Sequence, residues 1–255
     1  MPLPRLLALA LSVAVAVAVA CADAPTAPRV SAGTRILFIG NSLTYVHDVP
    51  SIVTAIARQV GDDDLGTGMA AFPDFSLEDH WYEGSASAAL ARQQWEFVVM
   101  QQGPSSLPES QRHLATWSQR LAPAIRAAGA VPVLYAVWPH IQRRGDAPNV
   151  LVSYRNAAQA VHGRLAPTGA AWDSVLASGD QLPLYSSDGL HASPYGAWLA
   201  AVVIYATVRG IDPVTLPPAL PARVAAPPLP AERVRALLRL ASAAMAAAAG
   251  EAVAR

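Results

Sequence analysis

Apolar positions along the chain alternate between short continuous runs and helical stripes. Ile36, Leu37, Phe38 and Ile39 form an unbroken run, the pattern of a strand buried on both faces. After it, Val49, Ile52, Val53, Ile56 and Val60 recur at helical spacing, and Gly61 stands where a helix end favours glycine. A weak strand is predicted over 67–72 and a clear one over 97–100. Leu114, Trp117, Leu121, Ile125 and Ala128 then mark a helix closed by Gly129. Residues 131–137 read as another buried strand, and Leu151, Tyr154, Ala158, Val161 and Leu165 as the next helical stripe. The last strand is expected over 170–173. Ser193 and Pro194 then supply an N-cap and an N1 proline for a helix through Trp198, Val202 and Tyr205 that stops at Gly210. Strands alternating with helices predict an α/β fold of three layers, with a central parallel sheet of about five strands.

The two ends depart from this pattern. Arg5 is followed by a run built almost wholly of Leu, Ala and Val to Ala20, the form of an export leader over 1–20, with a linker over 21–34. Two exits fit. Ala18, Val19 and Ala20 make an A-x-A cleavage site, which predicts a secreted protein. The same residues resemble the lipobox of bacterial lipoproteins, which implies that Cys21 becomes a lipidated first residue attached to the membrane. An Ala-rich run of this length barely spans a bilayer, so a permanent anchor is not expected. The core domain is expected over 35–212. Beyond it, residues 213–230 hold seven prolines in 18 residues, which predicts an extended strap. Residues 231–255 are Ala-rich, with Val234, Leu237, Leu238 and Leu240 on a partly apolar face, and predict a helix.

Composition narrows the function. Of 255 residues, 18 are basic, all arginine, against 18 acidic, so the net charge is zero. Scattered arginines without a basic face argue against a nucleic-acid partner. A single cysteine excludes an intramolecular disulfide and a thiolate zinc site. His47, His80, His113, His140 and His162 show no metal-ligand spacing. The turn at Asp62, Asp63 and Asp64 has no bidentate glutamate at EF-hand spacing, so it reads as solvated. No metal or other cofactor is expected.

Chemistry in such a sheet gathers at the carboxyl ends of the strands. The first strand runs into Gly40, Asn41 and Ser42, which puts the Ser42 hydroxyl at that edge just before a helix. Before the last helix, Asp188 and His191 stand three residues apart in a turn, a spacing that lets the carboxylate fix one face of the imidazole. A nucleophile, a base and an orienting acid thus converge on one edge.

Residues Ile36 to Thr44 and the stretch Asp188-Gly189-Leu190-His191 together resemble the first and last blocks of the SGNH (GDSL-like) hydrolases, in the variant with Gly-Asn-Ser. The resemblance implies a flavodoxin-like sandwich over about 35–212. It also implies ester hydrolysis through an acyl-enzyme on Ser42, with His191 as base and Asp188 as its orienter. The family supplies an oxyanion hole from the serine N–H, a glycine N–H and an asparagine side chain. Here Asp74 or Phe75 falls at the glycine position, and Gln101 or Gln102 stands where the asparagine is usual. Trp81 and Trp138 are candidates to line the substrate cleft, or else to fill the core. The expected function is an exported serine esterase acting on a small acyl ester, such as acetyl on a carbohydrate. The alternative is a catalytically inactive lipoprotein of this fold that binds glycan or cell-envelope material.

Overall fold

The computed structural model describes residues 33–253, so the predicted leader, Cys21 and most of the linker lie outside the described residues. Strand β1 (Arg35–Gly40) leads into a one-turn helix, α1 (Ser42–Tyr45), and then α2 (Val49–Gln59). Strand β2 (Gly66–Ala71) precedes two short helices, α3 (Leu77–Tyr82) and α4 (Ser85–Leu90). Strand β3 (Phe97–Met100) feeds the long helix α5 (Pro108–Ala127), and β4 (Val131–Tyr135) feeds α6 (Ala147–Ala160). A three-residue strand, β5 (Arg164–Ala166), is followed at once by α7 (Thr168–Ala177), then α8 (Pro194–Arg209) and α9 (Ala231–Val253).

The five strands pair in parallel in the order β2-β1-β3-β4-β5. Helices α2 and α8 pack together on one face, and α4, α5 and α6 cover the other. That is the predicted three-layer sandwich. It explains why the central runs are unbroken: Ile36 to Ile39 and Phe97 to Met100 are buried whichever way their side chains point. Strand order reverses between β1 and β3, so the connections leave these neighbours in opposite directions. A crevice opens at their carboxyl ends.

One strand is misplaced by the sequence pattern. Residues 170–173 lie in helix α7, and the fifth strand is β5, where the predicted helical stripe had ended at Leu165. Helix α6 stops earlier, at Ala160, and His162 turns the chain with φ +43°. A short apolar run such as Ala170-Ala171-Trp172 fits a buried helix as well as a strand. Trp172 here stacks on Trp138 with ring centroids 3.6 Å apart, so both tryptophans belong to the core.

The proline-rich segment runs over the surface, burying its own Leu216 and Val224 and pairing Arg223 with Asp48 at 2.9 Å. Helix α9 lays Val234, Leu237, Leu238 and Ala241 inward and packs mainly against α7. Asp62, expected in a solvated turn, is instead gripped by the Arg209 guanidinium at the end of α8. Among the described residues no helix is long and apolar enough to cross a membrane.

Candidate active site

The β1 carboxyl end is shaped by what surrounds Gly40. A Cβ there would lie 2.4 Å from Gln101 Oε1 and 2.6 Å from Thr44 Oγ1, so only glycine lets these groups close over the strand end. Asn41 then caps α1, its Oδ1 accepting the Leu43 N–H at 3.1 Å. Its Nδ2 donates to the Phe75 carbonyl at 3.0 Å, tying the β1 turn to the loop after β2. A carboxylate at position 41 has no hydrogen to make that bond. Ser42 sits at the first position of α1, half-buried. Neither its hydroxyl nor its main-chain N–H is bonded to a described residue.

The two glutamines after β3 do not offer a free amide. Gln101 is fully buried. Its Oε1 accepts from the Asn41 N–H at 3.0 Å and the Thr44 hydroxyl at 2.9 Å, while its Nε2 donates to Asn41 Oδ1 at 2.8 Å and the Gln102 carbonyl at 2.6 Å. All four of its hydrogen-bonding positions are used. Gln102 lines the cleft, but its Nε2 donates to Ser105 Oγ at 2.9 Å and lies 3.4 Å from His113 Nδ1. Its Oε1 accepts the Leu77 N–H. Both amides therefore hold the loops together, a departure from the expectation that one of them points at an ester. The sequence cannot reveal this, because the partners of Gln101 come from both sides of a strand pair.

Asp188 and His191 are brought together as their spacing suggested. His191 Nδ1 lies 2.6 Å from Asp188 Oδ2, and Asp188 Oδ1 accepts from the Leu190 N–H, the His191 N–H and the Ser186 hydroxyl, each within 2.9 Å. His191 first, then these donors, hold the Asp188 carboxyl far below the usual carboxylate range, so it stays ionised and fixes the proton on Nδ1. The loop is pinched by a bridge between Tyr185 and Ala192 and buttressed from the segment after β4. Trp138 Nε1 donates to the Leu190 carbonyl at 2.9 Å, and the Ile141 N–H to that of Gly189 at 2.8 Å. Gly189 has φ +72°, and a Cβ on it would meet Ile141 Cγ2 at 2.7 Å, so conformation and contact both require glycine.

Ser42, Leu190, Asp74, Phe75, Ser76, Gln102 and Gly103 line one cleft of about 330 Å³ at the switch between β1 and β3. Asp74 takes the left-handed conformation, φ +60°, which an aspartate adopts at modest cost, and its N–H is bonded to no described residue. A larger cavity, about 600 Å³, lies between β5, the end of α8 and α9; none of the candidate residues lines it. Trp138 is core and Trp81 lies on the surface of α3; neither lines the cleft.

His80 is a participant the sequence analysis missed. It is fully buried in α3, with Nε2 2.8 Å from the Gly40 carbonyl and Nδ1 2.7 Å from Ser85 Oγ. A carbonyl can only accept, so Nε2 carries the proton. Burial pushes its pKa below the ordinary imidazole value. The native state therefore refuses a proton that the unfolded chain takes up near about pH 6.5. Its contribution is intact above that pH and is lost as pH falls through the native pKa. The melting temperature is expected to fall between pH 7 and 5, and His80→Gln, which keeps a donor for Gly40, to flatten that slope. An unchanged slope in the variant would remove His80 from this account.

No protein-family model matches the chain, and neither does any curated protein. Solved structures do. A protein from Slackia heliotrinireducens assigned as an SGNH hydrolase is 29% identical, with TM-score 0.59, over 69% of this chain and 98% of that one. A DUF4886 family protein from Bacteroides uniformis is 17% identical, with TM-score 0.67, over 83% of this chain and 94% of that one. Axe2, an acetylxylan esterase from Geobacillus stearothermophilus, is 14% identical, with TM-score 0.57, over 71% and 96% of the two chains. Among the similar structures are two catalytic mutants of Axe2, in which alanine replaces a serine or a histidine.

Proposed function

The chain is an SGNH (GDSL-like) hydrolase, and on that premise we propose that it is an exported serine esterase that removes a small acyl group, acetyl in the first instance, from a carbohydrate. The observation that carries the reading is the Asp188–His191 pair poised beside the cleft that Ser42 lines. The acetyl preference leans on the likeness to Axe2, whose substrate is an acetylated xylan.

In this reading the Ser42 hydroxyl attacks the ester carbonyl and gives its proton to His191 Nε2. Asp188 steadies the imidazolium through Nδ1. The unbonded N–H groups of Ser42 and Asp74 receive the negative charge that develops on the carbonyl oxygen, an effect worth roughly 3–4 kcal/mol per donor. His191 then protonates the departing alcohol, and a water deprotonated by the same nitrogen releases the acyl group from Ser42. Ser42 and His191 share no hydrogen bond, and the reading requires the two to come within hydrogen-bonding reach when the ester binds.

Hydrolysis of p-nitrophenyl acetate and labelling by a fluorophosphonate probe, both lost in Ser42→Ala, test the assignment. A folded protein that does neither would support the alternative, an inactive binding protein of this fold. Export with a lipid on Cys21 is the second part of the proposal. Mass spectrometry of the membrane fraction is expected to find a diacylglyceryl-modified peptide beginning at Cys21, and Cys21→Ala to release the protein. A soluble mature form beginning at Cys21 without lipid would overturn that part.

A further inference from the structure

Helix α3 carries two aromatic side chains that the core does not use. Trp81 is 39% exposed and Tyr82 72%, while the buried residues of α3 are Leu77 and His80. Both rings lean on Trp117 of α5, with centroids 6.3 and 5.3 Å away, and Arg120 lies 5.1 Å over the same indole. Trp117 is only 7% exposed, so it serves as a stiff base for two rings left open to solvent. The Trp81 N–H and the Tyr82 hydroxyl donate to no described residue.

This surface continues the cleft. Ser76, which caps α3, and Ser110, in the first turn of α5, both line it. Between them and the rings stands the pair Glu78–His113, 2.8 Å apart and partly exposed. Seven residues of α5 separate Ser110 from Trp117, a rise of about 10 Å. Only a substrate longer than a single sugar reaches both ends. Open aromatic faces edged by hydrogen-bonding groups match pyranose rings, which present C–H faces and hydroxyl rims. A membrane surface would ask for a rim of cations, whereas here the single Arg120 is accompanied by Glu78 and Glu83.

We propose that Trp81 and Tyr82 form a platform that stacks a neutral sugar chain and guides its ester into the cleft, with Glu78 and His113 binding hydroxyls along the way. This rests on the esterase reading for what happens at Ser42, but binding is separable from turnover. The test titrates wild type, Trp81→Ala and Tyr82→Ala with the unacetylated hexaoses of xylose, glucose and mannose by calorimetry, and follows p-nitrophenyl acetate hydrolysis in parallel. At least one hexaose is expected to bind, and each variant to weaken that binding about tenfold or more while leaving p-nitrophenyl acetate turnover within about twofold. Tyr82 is exposed enough that its removal leaves the fold alone. Absence of binding by all three hexaoses, equal binding by both variants, or joint loss of binding and aryl-ester turnover in both would overturn the platform. Platform-dependent binding in a protein without aryl-ester turnover would support the platform and overturn the esterase reading instead.

Discussion

Replacement of Ser42 by alanine is expected to lower kcat/KM on p-nitrophenyl acetate by roughly 10⁴-fold or more, with the melting temperature unchanged. The two halves of that expectation have separate origins. The Ser42 hydroxyl is bonded to no described residue, so its removal breaks no hydrogen bond to them and leaves a half-buried position with a smaller side chain. Its chemical part cannot be taken over by a neighbour: Thr44 is committed to Gln101, and Ser105 donates to the Gly103 carbonyl. His191→Ala is expected to cost a similar factor, and the double variant no more than either single one, because the residues act as one unit. Stopped assays with a fluorophosphonate titration of active sites check this. Residual turnover above about 1% in Ser42→Ala at full purity would dismiss Ser42 as the nucleophile.

How far the sequence could be read depended on where the partners of each residue lie. Strands β1 and β3 announced themselves because burial on both faces demands unbroken apolar runs. The pair Asp188–His191 was legible because three residues in a turn leave the carboxylate few other places to go. Helix α7 was misread as a strand because Ala170 to Trp172 is apolar on every side, and a run that short carries no period. The oxyanion region was the hardest. Asp74 or Phe75 fell at the glycine position, and of the two it is Asp74 that takes φ +60°, a conformation glycine adopts freely. His80 gave no signal at all, since its partner Gly40 lies 40 residues earlier in the chain. Trp81 and Tyr82 were visible as aromatics, but their exposure depends on where α5 places Trp117.

Gln101→Leu is expected to destabilise the protein by about 3 kcal/mol, because a buried N–H and a hydroxyl lose their partner while the side-chain volume is kept. For a domain of this size that lowers the melting temperature by roughly 6–12 °C. The Asn41 N–H and the Thr44 hydroxyl are the groups left unpaired, while the Gln102 carbonyl still accepts from the Tyr154 hydroxyl; no water replaces the amide once leucine fills its place. Activity should fall as well, since Asn41 sets the start of α1 and also holds the Phe75 carbonyl beside Asp74. Two further variants separate the parts of this network. Thr44→Val removes one donor to Gln101 Oε1 and should cost no more than about 1 kcal/mol. Gln101→Glu keeps the acceptor but turns a carboxylate toward Asn41 Oδ1 and the Gln102 carbonyl, and should be worse than leucine at neutral pH. If Gln101 instead reached the ester directly, Gln101→Leu would lose kcat with its stability intact. Denaturant titration beside steady-state kinetics distinguishes the two, and a leucine variant as stable as wild type would refute the clamp.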